Sequence, residues 1–394
     1  MLACRSSVSS LSLPVGLESF AAAFLFGLGL LFGSFLNVVI HRLPRAESET
    51  STWWVGYSSL WTPPRSACPH CGHAIRWYEN IPVFSWLALR GKCAGCGAPI
   101  SPRYVLVELM TGLLFAGCFV RFGLTYPLLP ALVMMVLVVP LVFIDAEHWI
   151  LPFELTLPGI VLGISLSVPL GWEAVANSAI GAGVAFLAFR LMEYFGWLLF
   201  RKEALGAGDK YLLALLGAFL GWRPLFAVLF LSSLQGALFG GLNLVLRGRA
   251  GPEHESEKPE TAPTDAASGA RSTSETAVPS DATPGADQSI AEDEEEVFTF
   301  TPDFLKPGLS VARRLVLLPW TILLQPIPDD PPMDETAEGE DAEPEWTPGV
   351  TSLPFGPWIG LAGIEVMLLT PWLHATFAGT PFGMTLKLLF GPPS

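Results

Sequence analysis

The fold is decided by a stretch that reads Tyr126-Pro-Leu-Leu-Pro-Ala-Leu-Val-Met-Met-Val-Leu-Val-Val-Pro-Leu-Val-Phe-Ile-Asp145. Its apolar part is long enough to cross a membrane as a helix, which takes about 20 residues. A second acid, Asp209, begins another apolar run in Gly206-Ala-Gly-Asp209. A carboxylate beside hydrocarbon costs roughly 2.5–3.5 kcal/mol on insertion scales, so such acids are usually retained for function. The two aspartates therefore predict a functional pair within a helical membrane protein.

The composition agrees with a membrane protein. Of 394 residues, 51% are hydrophobic and 15% are charged, whereas a soluble domain is about 25% charged; the mean hydropathy is +0.48. The net charge of −14 is local, because residues 251–349 contain 23 acidic and 5 basic residues. The remaining residues carry a net charge of +4, so the acidity predicts no basic ligand for the core. No Walker-type phosphate loop or dinucleotide fingerprint is present, and nothing predicts nucleic-acid binding.

Apolar runs of spanning length lie near residues 20–40, 104–121, 126–144, 155–171, 174–200, 224–246 and 354–373. A shorter run at 211–221 makes an eighth. The sequence therefore predicts an all-α polytopic membrane protein of about eight transmembrane helices. We expect the first helix to be retained, because no small-residue cleavage site precedes a soluble domain.

Basic residues set the predicted orientation. Lysine and arginine cluster in residues 41–103, at Arg201-Lys202 and at Arg247–Arg249, and such clusters favour the cytoplasmic side. Eight spans place all three clusters on that side. Asp145 and Asp209 are then expected at cytoplasmic ends of helices, level with each other.

Four cysteines predict a metal site in the first cytoplasmic loop. Cys68-Pro-His-Cys71 and Cys93-Ala-Gly-Cys96 form C-x2-C-x21-C-x2-C, which is close to a zinc pattern. Four thiolates leave no open position, so the zinc would be structural, and Gly72, Gly95 and Gly97 would let the backbone turn beneath the sulfurs. Disulfides or a redox pair are the alternatives, which a cytoplasmic loop disfavours. The prediction is a small zinc-ribbon-like loop domain.

The polar residues within the other apolar runs are Glu108, Arg190, Glu193 and Glu365. We expect them to pair between helices, because such pairs offset the cost of placing a charge in the membrane. Glu147 follows Asp145 closely, in what reads as a short loop, and is expected to be solvated.

The aspartates have ordinary interpretations as well as a catalytic one. Asp145 could be a helix-end acid in the headgroup region, and Asp209 could cap its own helix. However, Gly206 and Gly208 would let a substrate backbone approach Asp209. Two neighbouring carboxylates share a proton, so one can activate water while the other protonates the substrate. The pair thus predicts an aspartic peptidase in which the base is not assigned.

Several stretches match one family. They are Gly33-Ser-Phe-Leu-Asn-Val-Val-Ile-His-Arg-Leu-Pro-Arg45, the cysteine pairs, Ile75-Arg-Trp-Tyr-Glu-Asn-Ile-Pro-Val-Phe-Ser-Trp86, Leu89-Arg-Gly-Lys-Cys93, Arg103-Tyr-Val-Leu-Val-Glu108, Phe143-Ile-Asp145 with Ile150-Leu-Pro152, Gly206-Ala-Gly-Asp-Lys210 and Leu353-Pro-Phe-Gly-Pro357. In these residues the chain resembles the type IV prepilin peptidases, which are aspartic proteases of the bacterial inner membrane. The family's catalytic aspartates match Asp145 and Asp209.

The resemblance implies two activities. Family members cut the leader from prepilins and pseudopilins after a glycine. Those with the cysteine loop then N-methylate the new amino terminus, typically phenylalanine, using S-adenosylmethionine. The resemblance thus implies prepilin substrates, contact with membrane lipid, an inner-membrane location and an active site that faces the cytoplasm. We expect the methyl donor in loop 77–103; the sequence makes no prediction of oligomeric state.

The expected domain order is a first transmembrane helix at 17–40, a cytoplasmic four-cysteine loop at 41–103, a transmembrane peptidase core at 104–248, an acidic cytoplasmic insert at 249–349, a last transmembrane helix at 350–373 and a C-terminal tail at 374–394. The insert is rich in Glu, Pro, Ser and Thr, which predicts disorder over most of its length. An interfacial helix at 305–327 is its one expected element.

The sequence departs from the family pattern in two places, at Phe153, where the family usually has aspartate, and in the insert. A non-enzymatic zinc-ribbon scaffold of a pilus or secretion machine is the alternative function. A proton-coupled transporter is a third reading, but it would show acids near the bilayer midplane and repeated halves.

Overall fold

The computed structural model describes residues 15–49, 67–68, 70–200, 206, 208–247, 353–376 and 380. The predicted disordered insert and its interfacial helix at 305–327 lie outside the described residues. So does the predicted tail, apart from residues 374–376 and Thr380.

The helices, numbered in chain order, are α1 Val15–Glu49, α2 Phe84–Ala88, α3 Arg103–Phe122, α4 Leu128–His148, α5 Phe153–Ser165, α6 Trp172–Phe200, α7 Asp209–Leu220, α8 Leu225–Arg247 and α9 Gly356–Thr376. Short 3-10 helices lie at Trp77–Asn80 and Val168–Leu170. No strand occurs among these residues, and isolated β-bridges join Ala67 to Ala74 and Lys92 to Pro99. The predicted all-α architecture is confirmed for the described part of the chain.

Six helical segments are long and apolar enough to cross a membrane: Gly16–Pro44, Arg103–Phe122, Leu128–His148, Phe153–Leu170, Trp172–Gly196 and Leu225–Arg247. A seventh apolar segment, Gly356–Thr370, is shorter. Large apolar side chains remain exposed on these helices, which suits an environment of lipid rather than water.

The first helix runs further than predicted. It continues past residue 40 to Glu49, and apolar packing accounts for the helix as far as Leu43. Leu43 is buried in a cluster with Leu36, Val39 and Ile40. Apolar contact thus extends α1 beyond the end of its spanning run.

Helix α4 is at the centre of the described helices. It contacts α1, α3, α5, α7 and α9, and its Met134, Met135 and Leu141 are fully buried. A larger share of its residues is buried than in any other candidate membrane span among the described residues. The residue at its last turn, Asp145, is therefore held by packing on several sides.

Helix α7 corresponds to the short run at 211–221. With 12 residues it is about 18 Å long at 1.5 Å per residue, which is shorter than the roughly 30 Å hydrocarbon layer. Residues 212–220 are all buried, and α4, α5, α6, α8 and α9 all contact the helix. Because protein surrounds α7, a short helix is tolerated at membrane depth.

Two glycines fix the height of α7 against α6. A Cβ atom on Gly181 would lie 2.3 Å from the carbonyl oxygen of Gly217, and one on Gly217 would lie 2.4 Å from the carbonyl oxygen of Gly181. Only glycine permits this backbone approach, as is common between membrane helices. The Ser178 hydroxyl also donates to the carbonyl oxygen of Ala218. This contact sets the depth of Asp209 at the start of α7.

Candidate active site and metal centre

Asp145 lies in the last turn of α4. Trp149 ends the helix in the left-handed conformation at φ 59°, and its N–H donates to the carbonyl oxygen of Asp145 at 3.0 Å. The aspartate is only 6% exposed. Within the described residues its Oδ2 has no hydrogen-bond partner, which is rare for a buried oxygen. This oxygen can therefore accept a proton or a hydrogen bond from a substrate.

Asp209 is the first residue of α7 and is 4% exposed. The helix is capped by Gly208, and no side chain caps it. The alternative that Asp209 caps its own helix is therefore wrong. Its carboxylate instead lies beside Gly206, where an added Cβ would be 3.2 Å from Oδ2. Gly206 thus leaves the carboxylate free of side-chain bulk on this side, whereas Gly208 makes room for Leu151.

The structure brings the two aspartates together. Their carboxylates are close enough to interact electrostatically. Leu151 packs between the start of α7 and the start of α9, because added Cβ atoms on Gly208 and Gly356 would lie 2.7 and 3.3 Å from its side chain. A buried carboxylate pair of this kind can share one proton and supply both an acid and a base.

Gly356 is a site residue that sequence reasoning missed. It begins α9, and an added Cβ would lie 2.5 Å from Oδ2 of Asp145. Its backbone amide also faces the Asp145 carboxylate. The only sequence signal was a glycine between Phe355 and Pro357 in a stretch that matches the family.

An aromatic ring packs against the first turn of α7. Phe153 is half exposed at the start of α5 and meets the ring of Tyr211 edge to face, with centroids 4.9 Å apart. Tyr211 follows Asp209 by two residues. Phe153 thus presents an aromatic surface against the first turn of α7.

The predicted pairing between helices is confirmed for Glu193 and Glu365, whereas the pair of Arg190 with Glu193 lies within α6. Arg190 donates to Glu193 at 2.9 Å, and Lys210 of α7 donates to the same carboxylate at 3.1 and 3.2 Å. Glu365 of α9 accepts from Gln235 of α8. These contacts connect α6 with α7 and α8 with α9.

One expectation about a polar residue is wrong. Glu147 is not a solvated loop residue; it lies in the last turn of α4 and pairs with Arg103, the first residue of α3. The helix extends through His148, so Glu147 faces a neighbouring helix. The base of the cysteine loop is therefore tied to the helix end that carries Asp145.

The four predicted cysteines come together. Their sulfur atoms all lie within 4.8 Å of one another, and the Cys68 and Cys96 sulfurs are 3.9 Å apart. Tetrahedral zinc with Zn–S bonds near 2.3 Å requires sulfurs about 3.8 Å apart. The donor set and its spacing thus fit a zinc ion with four thiolate ligands.

Both knuckles use the same hydrogen bonds. The N–H of Cys68 donates to the carbonyl oxygen of His73 at 3.0 Å, and that of Cys93 donates to Ala98 at 2.8 Å. Gly72 and Gly97 take positive φ values of 69° and 74° at matching positions. The predicted glycine turns are confirmed at these two residues, and each turn aims two sulfurs at one centre.

The protonation of the cysteines also suits a cation. Backbone N–H groups of Cys96 and Gly95 lower the pKa of Cys93 to about 6, so a thiolate is present at neutral pH. For Cys71, the His73 backbone lowers the pKa, but the neighbouring thiols, with Cys96 first, raise it to about 12. Crowded thiols hold protons that a bound metal would displace.

Histidine has a separate role in the loop. His73 contacts Glu79 with Nε2 and Oε2 3.1 Å apart. The backbone N–H of Arg76, followed by His73, lowers the pKa of Glu79. This pair braces the first knuckle against the 3-10 helix that follows it.

Comparison with known proteins identifies the family. The bacterial peptidase A24 N-terminal domain matches residues 28–122, and the type IV leader peptidase family matches residues 131–241. A prepilin leader peptidase/N-methyltransferase of Myxococcus xanthus is 51% identical over 92% of this chain and 94% of its own length. The chain belongs to the type IV leader peptidase family. It is therefore an enzyme of a peptidase family, and nothing supports the scaffold alternative.

Other relatives agree. Prepilin leader peptidase/N-methyltransferases of Aeromonas hydrophila and Dichelobacter nodosus are 42% and 46% identical, over 58% and 40% of this chain and 81% and 61% of their own lengths. No solved structure matches the chain significantly. The part of this chain outside the M. xanthus match is far shorter than the 249–349 insert, so that match extends into the insert.

Proposed function

We propose that the protein is a membrane aspartic peptidase that removes the leader from type IV prepilins and pseudopilins, and that it then N-methylates the new amino terminus. The observation that carries the peptidase half is the buried pair Asp145 and Asp209, in a chain of the type IV leader peptidase family. The methyl-transfer half rests on the relatives, which are named for both activities.

The pair supplies the proton transfers. One carboxylate, in its ionised form, takes a proton from water as the water oxygen attacks the scissile carbonyl carbon. The other, protonated, donates to the carbonyl oxygen. The proton taken from water then passes to the leaving amine as the C–N bond breaks. The two aspartates act as a unit, so neither is assigned as the base.

We further infer eight membrane crossings, with α7 and α9 added to the six long helices. After α4 the chain crosses once in α5 and back in α6. This returns the start of α7 to the face at which α4 ended, as the electrostatic interaction between the aspartates requires. The basic clusters favour the cytoplasm for that face, and we infer that the site lies at the cytoplasmic side of a bacterial inner membrane.

The cysteine loop would hold two groups. Cys68, Cys71, Cys93 and Cys96 would bind a structural zinc ion that closes the loop. S-adenosylmethionine supplies an electrophilic methyl group when bound, and its cationic sulfur suits aromatic surfaces. Trp77 and Tyr78 are exposed in the loop. We place the methyl donor within residues 77–103 for this reason.

The mass of the reaction product tests the proposed function. Purified protein incubated with a prepilin is expected to release a chain that lacks its leader and begins after a glycine. With S-adenosylmethionine added, the same chain should gain one methyl group at its amino terminus. A precursor of unchanged mass would refute the peptidase, and cleavage that never leads to methylation would refute only the second activity.

Zinc is expected at about one ion per chain, as a site of four thiolates requires. Cys93→Ala and Cys96→Ala should each lose it, because the three thiolates that remain in each variant do not close a tetrahedral structural site. Metal analysis of the purified variants gives the stoichiometry. Cys118→Ala is the matched control, since Cys118 is a free cysteine buried in α3. Equal zinc in all three variants would exclude the site.

A further inference from the structure

Three segments of the chain meet at one buried carboxylate. Glu108 lies in the second turn of α3 and is 8% exposed. Its Oε2 accepts the backbone N–H of Val83 at 2.7 Å. The Ser34 hydroxyl of α1 lies beside the same carboxylate. Membrane helices and the cysteine loop are thus joined at Glu108.

The backbone at Val83 is strained. Its φ and ψ are 61° and −50°, and the N–H of Phe84 donates back to the carbonyl oxygen of Pro82 at 2.6 Å. This is the rare, strained form of the γ-turn, and positive φ is costly for a β-branched residue. Such a conformation persists only where the surroundings impose it, which is frequent at functional sites. The bond from Glu108 to the Val83 amide is one such constraint.

The turn sets the direction of the segment that follows it. Helix α2 begins at Phe84, whose ring is 67% exposed. Helix α2 is held within the loop at its middle residue, because the Trp86 indole donates to the carbonyl oxygen of Ile100 at 3.1 Å. We call the exposed side chains of Trp77, Tyr78 and Phe84 the loop surface. The turn at Val83 sets the direction of Phe84 relative to Trp77 and Tyr78, and the Glu108 side chain from the membrane helices holds that turn.

We propose that Glu108 is a positioning residue for methyl transfer, which holds this loop surface in register with the site where the new amino terminus is released. The inference rests on the proposed function. In the transfer, the deprotonated amine nitrogen forms a bond to the methyl carbon as the carbon–sulfur bond breaks. The electron pair stays on sulfur, and the ammonium product then loses a proton. Glu108 touches none of these atoms; it fixes the distance between the donor's loop and the amine.

The first test separates the two activities. Glu108→Ala is expected to lower kcat for methylation about tenfold, because misplaced reactants lose rate steeply. Leader cleavage and zinc content should stay near those of the unmodified protein, since the partners of Glu108 belong to the loop and α1. Glu108→Gln keeps an oxygen that can accept the Val83 N–H and should retain most of the methylation. Glu365→Ala, which removes another acid within the membrane helices, should not affect methylation selectively.

The second test relieves the strain. Glycine adopts positive φ readily, so Val83→Gly should form the turn without the carboxylate. In that background Glu108→Ala should cost little methylation. Equal loss of cleavage and methylation in Glu108→Ala, with no rescue by Val83→Gly, would reduce Glu108 to a stability role and overturn the inference. Unmodified protein that cleaves and never methylates would instead refute the proposed methyl transfer itself.

Discussion

Asparagine in place of Asp145 or Asp209 is expected to lower the rate of leader cleavage about a thousandfold, within the range that acid–base groups contribute. Asparagine has the shape of aspartate, but it can neither take a proton from water nor deliver one. Because the two carboxylates share these roles, either substitution should disable the pair. The measurement is the rate of precursor loss with purified variants in detergent or lipid.

The control for this experiment is Glu365→Gln. Glu365 is another acid within the membrane helices, and Gln235 donates to it; a glutamine there can still accept that bond. This variant should cleave within a few-fold of the unmodified protein. Its abundance in membranes should match that of the two asparagine variants. Cleavage near the normal rate in either asparagine variant would remove that aspartate from the mechanism.

The long helices and the two membrane aspartates could be predicted from the sequence, because the signals for them are local. The length of an apolar run and the cost of a carboxylate within it depend on neighbouring residues alone. The knuckle turns at Gly72 and Gly97 were likewise predictable, because glycine and cysteine spacing reports backbone conformation directly. In each case the signal lies within a few residues of the feature.

Contacts between distant segments were not accessible in this way. Gly356 follows the acidic insert in sequence, 211 positions after Asp145. Its contact with Asp145 depends on how α9 packs against α4. The short α7 is tolerated because other helices surround it, which its own residues do not reveal. At Val83 the sequence argues against the observed backbone, because valine disfavours positive φ. A constraint on this backbone comes from the carboxylate of Glu108, 25 positions later.

Alanine at Gly356 is expected to lower kcat for leader cleavage about a hundredfold, the loss that displacement of a catalytic group by about 1 Å can cause. The added Cβ would lie 2.5 Å from Oδ2 of Asp145 and 3.0 Å from its Cγ. Both distances are shorter than van der Waals contact, so the carboxylate has to move. Since Asp145 is buried on its other sides, it would move out of line with Asp209.

Two other glycines separate this effect from general packing damage. Gly360→Ala puts a Cβ 2.4 Å from Val142 in the same pair of helices without touching the acid, and Gly183→Ala meets no atom within 4 Å. Gly360→Ala should therefore lower the melting temperature and leave kcat close to that of the unmodified protein. Gly183→Ala should change neither quantity. Gly356→Ala should show the opposite result, a large loss of kcat with little change in the melting temperature. If Gly356→Ala behaves like Gly183→Ala, the start of α9 does not form a wall of the active site.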